Sequence, residues 1–189
     1  MKSRLKHILA ASLVFLSVNT NAVEPLKGPN CIPVKSLAED KLAFVGGEKL
    51  DFVIHYKWKA INSDVAKAYV DTTTLNGIPA FHCSVFGRTA RFYDMFFKVR
   101  EDFQSWFTRD GVVPLKFYRD SREGGYYSVN RYEYIWDPDE SKHIRAELET
   151  SRRPARTEEL PLSGCTYDLP SLFYMARNMN FSKVKPNVK

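Results

Sequence analysis

Residues 92–107, FYDMFFKVREDFQSWF, form the densest aromatic run in the chain, and the reading of the fold starts from them. Their apolar positions change period partway. Phe92, Met95, Phe96 and Val99 recur at helical spacing, whereas Val99, Phe103 and Phe107 fall on one side of an extended segment whose other residues are mostly charged or amphipathic. The pattern predicts one short helical turn near 90–97 feeding a strand. Its aromatic area is large enough to centre the core on which neighbouring extended segments bury their own apolar faces.

Those neighbours read as strands. On the N-terminal side Leu50, Phe52, Ile54, Tyr56 and Trp58 alternate with Asp51, His55 and Lys57, the period of a half-buried strand. Residues 65–75 form a second β-prone run, and Asn76-Gly77 follows it. Because both central residues of a type I′ turn need positive φ, this dipeptide predicts a hairpin into a strand over 80–86 that Gly87 ends. On the C-terminal side Arg109-Asp110-Gly111 turns the chain into a strand over 115–119, with Pro114 near its start. Glu123-Gly124-Gly125 precedes a tyrosine-rich strand over 126–136, and Asp137-Pro138-Asp139 leads into alternation over 142–150. The result is mainly β, an antiparallel meander forming a curved sheet or an open, incomplete barrel. One helix is expected near 169–178, with Asp168 as N-cap, Pro170 in the first turn, Leu169, Leu172, Phe173 and Ala176 as its buried stripe, and Asn178 as its stop.

The ends and the charge set the context. Lys2, Arg4 and Lys6 precede an apolar run from Ile8 to Val18, followed by Thr20-Asn21-Ala22, so residues 1–22 read as a secretory signal peptide. That run is too short to span a bilayer as a helix, and no transmembrane span is expected in the mature chain. Residues 23–43 are a Pro- and Gly-containing lead-in, and 44–189 are expected to form a single β-rich domain. Of the 28 Lys and Arg residues, three lie in the leader, leaving 25 against 22 acidic residues. Charges of both signs are interspersed, which gives no nucleic-acid surface. The cluster Arg152, Arg153 and Arg156 reads as a solvated loop around Pro154. Cys31, Cys83 and Cys165 allow three single disulfides; Cys83 lies in a strand pattern as a core thiol, and Cys31 with Cys165 is the pairing expected if a bond forms. The residues before Cys31 lack the apolar and small pattern of a lipid-attachment site.

A resemblance joins these pieces. Gly47-Glu48-Lys49-Leu50, Gly87-Arg88-Thr89, the run from Asp94 to Asp102, Pro114-Leu115, Arg119-Asp120 with Glu123-Gly124-Gly125-Tyr126, and the helix near 168–177 resemble a domain-of-unknown-function family of exported proteins of Gram-negative bacteria, from about Phe44 to Lys189. The resemblance implies an open antiparallel barrel of a periplasmic protein in the cell envelope, with no catalytic residues to carry over. Members of that family continue with strands beyond the helix, so it also implies that this chain is shortened at its C-terminus.

No reaction is written in the residues. His55, His82 and His143 fall on separate strands, and His82 and Cys83, being adjacent, face opposite sides, which gives no metal site. Ser84, Ser105, Ser128 and Ser171 lack a GxSxG context. No catalytic, cofactor-binding or metal residue is assigned, and no cofactor is expected. Arg88, Arg91, Asp94, Arg100, Asp102, Arg119 and Glu123 flank the aromatic turns, and guanidinium groups mixed with carboxylates suit an anionic or sugar-like ligand. The ordinary alternative is a set of ion pairs holding strand ends together. Three functions follow: non-catalytic handling of a lipid- or glycan-like ligand in an apolar cavity between sheet and helix; an assembly module pairing an exposed strand edge with an envelope protein; and an envelope hydrolase whose site the sequence does not display.

Overall fold

The computed structural model describes residues 37–54, 64–136, 142–162 and 165–183. The leader, most of the lead-in with Cys31, the stretch holding His55, Tyr56, Trp58, Asn62 and Ser63, and Asp137 to Asp139 lie outside these ranges. Eight strands pair antiparallel in simple chain order. They are β1 (Lys49–Ile54), β2 (Asp64–Leu75), β3 (Ile78–Thr89), β4 (Val99–Thr108), β5 (Pro114–Glu123), β6 (Tyr126–Ile135), β7 (His143–Thr150) and β8 (Arg153–Pro161). Among the described residues β1 and β8 do not pair, so the sheet is curved and unclosed. The β2–β3 turn has Asn76 at φ 50° and Gly77 at φ 81°, the two left-handed residues that a type I′ hairpin requires.

Alternation assigns each strand two faces. One face carries Ala66, Ala68, Val70, Phe81, Cys83, Phe107, Phe117, Tyr134, Ile144 and Ala146, all buried. The helix α1 (Leu169–Ala176) and the preceding residues Leu37, Leu42 and Phe44 pack over part of this face. Phe44 is the centre of the cluster, its ring 4.6 Å from Tyr174, 5.2 Å from Phe81 and 6.3 Å from Phe107, spacings of edge-on aromatic packing. A second cluster of Phe117, Tyr134 and Ile144 extends the core toward β7 and β8. Among the described residues, the space between sheet and helix is occupied by this packed cluster where an open apolar cavity is expected.

Four expectations change. The 3-10 turn Tyr93–Met95 exists, but it sits in the β3–β4 connection at one end of the sheet, where Phe92, Met95 and Phe96 find no layer to pack against and stay exposed. Only the strand half of the aromatic run, through Phe107, reaches the core. β3 does not stop at Gly87, which lies opposite Glu101 in ordinary extended backbone, and it runs on to Thr89. Residues 153–161 form β8 where a loop is expected; as an edge strand its outer backbone needs no partner, so Pro154 is tolerated. Finally, α1 turns the other way. It buries Pro170, Ser171, Tyr174 and Met175 and leaves Leu169, Leu172 and Phe173 facing out.

The cause of that rotation is polar. Asp168 Oδ1 accepts from Ser171 N at 2.9 Å, Asp168 N donates to Ser171 Oγ at 3.1 Å, and Ser105 Oγ on β4 donates to Asp168 Oδ2 at 3.0 Å. The cap therefore ties the helix start to the sheet. Asn178 ties down the other end, donating to Tyr174 O and accepting from Ala43 N, both at 2.9 Å.

Candidate functional site

The sheet face turned away from α1 carries polar and aromatic side chains in register. Arg88 on β3 lies directly opposite Arg100 on β4, and Arg100 directly opposite Arg122 on β5. One step along, Lys67, Phe86, Asp102 and Asp120 form a second row across β2 to β5. Tyr69, Ser84, Gln104 and Tyr118 form a third. Where the first two rows meet Tyr69, the surface dips into an open groove of about 430 Å³ lined by Lys67, Tyr69, Phe86, Arg88, Arg100, Asp102, Asp120 and Arg122, with Gly87 and Glu101.

Like charges placed directly across a strand pair repel, so three guanidinium groups in one row, and two carboxylates in the next, disfavour this register electrostatically. The groove relieves part of that. Asp94 receives Arg100 at 2.9 and 2.6 Å, and Asp120 receives the Arg122 guanidinium at 3.0 to 3.2 Å. Arg100 and Thr89 hold the Asp94 carboxyl well below the usual carboxylate range, and the hydrogen-bonded Asp94 carboxylate in turn raises Arg100. Lys67 reaches Asp51 at 2.8 Å. The Arg88 side chain is exposed and makes no ion pair or hydrogen bond with a described residue. One wall is stiffened by a polar relay: Asp102 accepts from Gln104 at 2.8 Å, and Gln104 in turn meets His82 Nε2 at 2.6 Å and Ser84 Oγ at 3.0 Å. His82 stacks on Trp106 with 4.4 Å between ring centres, so it is engaged on the bare face while Cys83 is buried on the other.

The seven residues singled out by sequence separate into three groups. Arg88, Arg100 and Asp102 line the groove, and Asp94 reaches it through Arg100. Arg91 is exposed on the β3–β4 connection. Arg119 and Glu123 are on the helix-side face, where Arg119 Nε lies 3.6 Å from Glu101 Oε2 and its guanidinium 5.4 Å from the Phe103 ring, while Ser121 Oγ bridges Glu101 at 2.6 Å and Glu123 at 3.4 Å. Lys67, Tyr69, Phe86, Asp120 and Arg122 were missed. Parity within β5 separates Arg119 from Asp120, but only the pairing register brings Arg122 to Arg100.

Two other constellations are weaker sites. A hollow of about 480 Å³ by the β7–β8 turn is lined by Tyr126, Thr150, Arg152, Arg153 and Arg156, but Arg156 pairs with Glu158 at 2.6 Å and Arg152 lies over the Tyr126 ring. The Asp168 cluster is chemically unusual: burial, partly offset by the Ser171 and Ser105 hydrogen bonds, pushes the carboxyl up to about 6, and burial with Asp168 nearby pushes the Cys83 thiol up to about 12. It is closed to solvent and joins helix to sheet, which is a structural task. Cys165 is disulfide-bonded and Cys83 is a free thiol.

The described residues thus form an open antiparallel sheet with one face packed and a charged groove on the other. The chain belongs to the family described as "Protein of unknown function (DUF3108)", whose profile matches residues 51–187. The matched stretch runs from β1 to just past α1. Comparison with curated proteins and with solved structures returned no match.

Proposed function

We propose that this protein is an exported, non-catalytic binding module that takes an amphiphile with an anionic head across the Arg88–Arg100–Arg122 row. The observation that carries this reading is the row itself. A register that opposes three guanidinium groups and leaves Arg88 without a partner among the described residues is a local conflict of the kind folds retain at functional sites, and an anionic group set among them relieves it. Tyr69 and Phe86 offer apolar area beside the charges, which suits a lipid-like ligand better than a free anion. Export is supported by the leader-like residues 1–22 and by the disulfide at Cys165, a bond characteristic of oxidising compartments.

The other two functions have less support. β8 presents an edge, but Pro154, Pro161, Arg156, Glu158 and Glu159 blunt it in the ways that edge strands are protected from pairing. The opposed Asp102 and Asp120 come nearest to the carboxylate pair of a hydrolase, yet each is engaged as a hydrogen-bond acceptor by Gln104 or Arg122.

The test is titration of the purified protein with a fluorescent long-chain fatty acid and with its uncharged methyl ester. The acid binds more tightly than the ester, and Arg88→Glu weakens acid binding by about tenfold or more, the scale of losing one charge-assisted contact. Equal binding of acid and ester, or an unchanged Arg88→Glu variant, overturns the proposal. Displacement of the probe by an anionic oligosaccharide assigns the same groove to a glycan head.

A further inference from the structure

The β3–β4 connection places four large apolar side chains in solvent: Phe92 at 64 %, Met95 at 73 %, Phe96 at 71 % and Phe97 at 49 % exposure. A flexible loop would fold such residues back onto the sheet. This one is pinned from both sides. Asp94 is held by Thr89 Oγ1 at 2.5 Å and by both terminal nitrogens of Arg100, and Val99 N donates to Thr89 Oγ1 at 3.0 Å. Across the tip, Gly124 N donates to Lys98 O at 2.8 Å. The Phe97 ring lies so close to Gly124 that a Cβ there would stand 3.0 Å from Cε2. The 3-10 turn is thereby fixed with Phe92 and Phe96 outward and touching each other, 5.8 Å between ring centres.

The charges at the tip complete the pattern. The connection contains one carboxylate, Asp94, and it is turned back and neutralised by Arg100. The two cations, Arg91 and Lys98, flank the aromatic cluster, are exposed and pair with no described residue. Aromatic and Met side chains ringed by Lys and Arg match the interface of an anionic bilayer, where rings settle at headgroup depth and cations meet lipid phosphate. We propose that the β3–β4 tip docks the protein on an anionic lipid surface, the aromatic cluster entering the interface and Arg91 and Lys98 contacting headgroups. Its lipid-contacting residues are distinct from those lining the groove, with Arg100 alone serving both by lining the groove and holding Asp94, and the docking holds whether or not the groove takes a ligand.

The experiment is co-sedimentation of the purified protein with vesicles of equal parts phosphatidylglycerol and phosphatidylcholine, and with vesicles of phosphatidylcholine alone. The protein sediments with the anionic vesicles and stays in solution with the neutral ones. The double variant Phe92→Ser, Phe96→Ser, altered only at exposed positions, loses about tenfold or more of this partitioning, and Arg91→Glu with Lys98→Glu does the same. As a readout in an otherwise intact tip, Met95→Cys carrying an environment-sensitive dye shifts its emission to the blue on anionic vesicles. Failure of the unaltered protein to sediment, equal sedimentation with both vesicle types, or an unshifted dye overturns the proposal. So does cross-linking from position 95 to a second copy without vesicle binding, which would make the tip a self-association surface.

Discussion

Asp168 shows how one side chain can decide the placement of an element and leave a signature in pH. Its carboxyl caps α1, accepts from Ser105 on β4 and is 6 % exposed, and burial raises it from the ordinary carboxylate range to about 6. A group that holds its proton more tightly in the folded chain than in the unfolded one stabilises fully at pH values below its unfolded value, near 4. That contribution is lost as pH rises through about 6. Asp168→Asn keeps an acceptor for Ser171 N and removes the buried charge. Its stability in urea therefore varies less with pH between 4 and 7 than that of the unaltered protein. Parallel pH curves for the two proteins would refute this account. Asp94 has the opposite sign: its proton is lost more readily in the fold, so its contribution is present above the unfolded value and fades as pH falls.

Among the elements, the β2–β3 hairpin was plain in the sequence and α1 was misleading, and the difference is physical. Asn76-Gly77 acts through backbone sterics, which do not depend on what surrounds the turn, so the dipeptide alone fixes it. Gly77 has φ 81°, and a Cβ added there would meet nothing within 4 Å, so Gly77→Ala costs about 1–2 kcal/mol from conformation alone. Gly125, with equal space but no positive φ, accepts Ala with little change. Comparison of the two urea midpoints checks this, and equal shifts would show that conformation is not the cause. For α1 the sequence offers two stripes at i, i+3, i+4 and i+7. Leu169, Leu172, Phe173 and Ala176 are the more apolar; Ser171, Tyr174, Met175 and Asn178 are the ones buried, because Asp168 and Asn178 anchor both ends by hydrogen bonds to the rest of the chain. Hydrophobicity alone does not reveal that. The aromatic run of 92–107 misled for a related reason: period marked its turn correctly, but nothing local says whether a turn lies under a layer or beyond the end of a sheet. β8 went unread because an edge strand needs neither apolar alternation nor freedom from proline.

At the scale of the molecule, the groove illustrates the limit of reading strands singly. Arg88, Arg100 and Asp102 were visible as charges near turns, but the arginine row exists only through the register of three strands, which is set by turn lengths and by the bulge between Trp106 and Phe107. The cysteines give a test of the covalent frame. Peptide mapping of the oxidised protein is expected to recover Cys31 linked to Cys165. The Cys83 thiol, fully buried and pushed up to about 12, is expected to react with an alkylating reagent only after unfolding. Alkylation of Cys83 in the native protein would count against its burial, and a Cys83-containing cross-link would count against both expectations. The plain strand order has its own consequence for how the chain folds. Since every strand pairs with its immediate predecessor, the sheet can zip outward from the β2–β3 hairpin by closing short loops, a fast route for an all-β topology. The long return of α1 to β3 and β4 must wait until residues 168–178 are available. Until that latch engages, Phe81, Phe107 and Cys83 stand uncovered, so an interval between sheet formation and helix docking is when aggregation or thiol chemistry threatens this chain most.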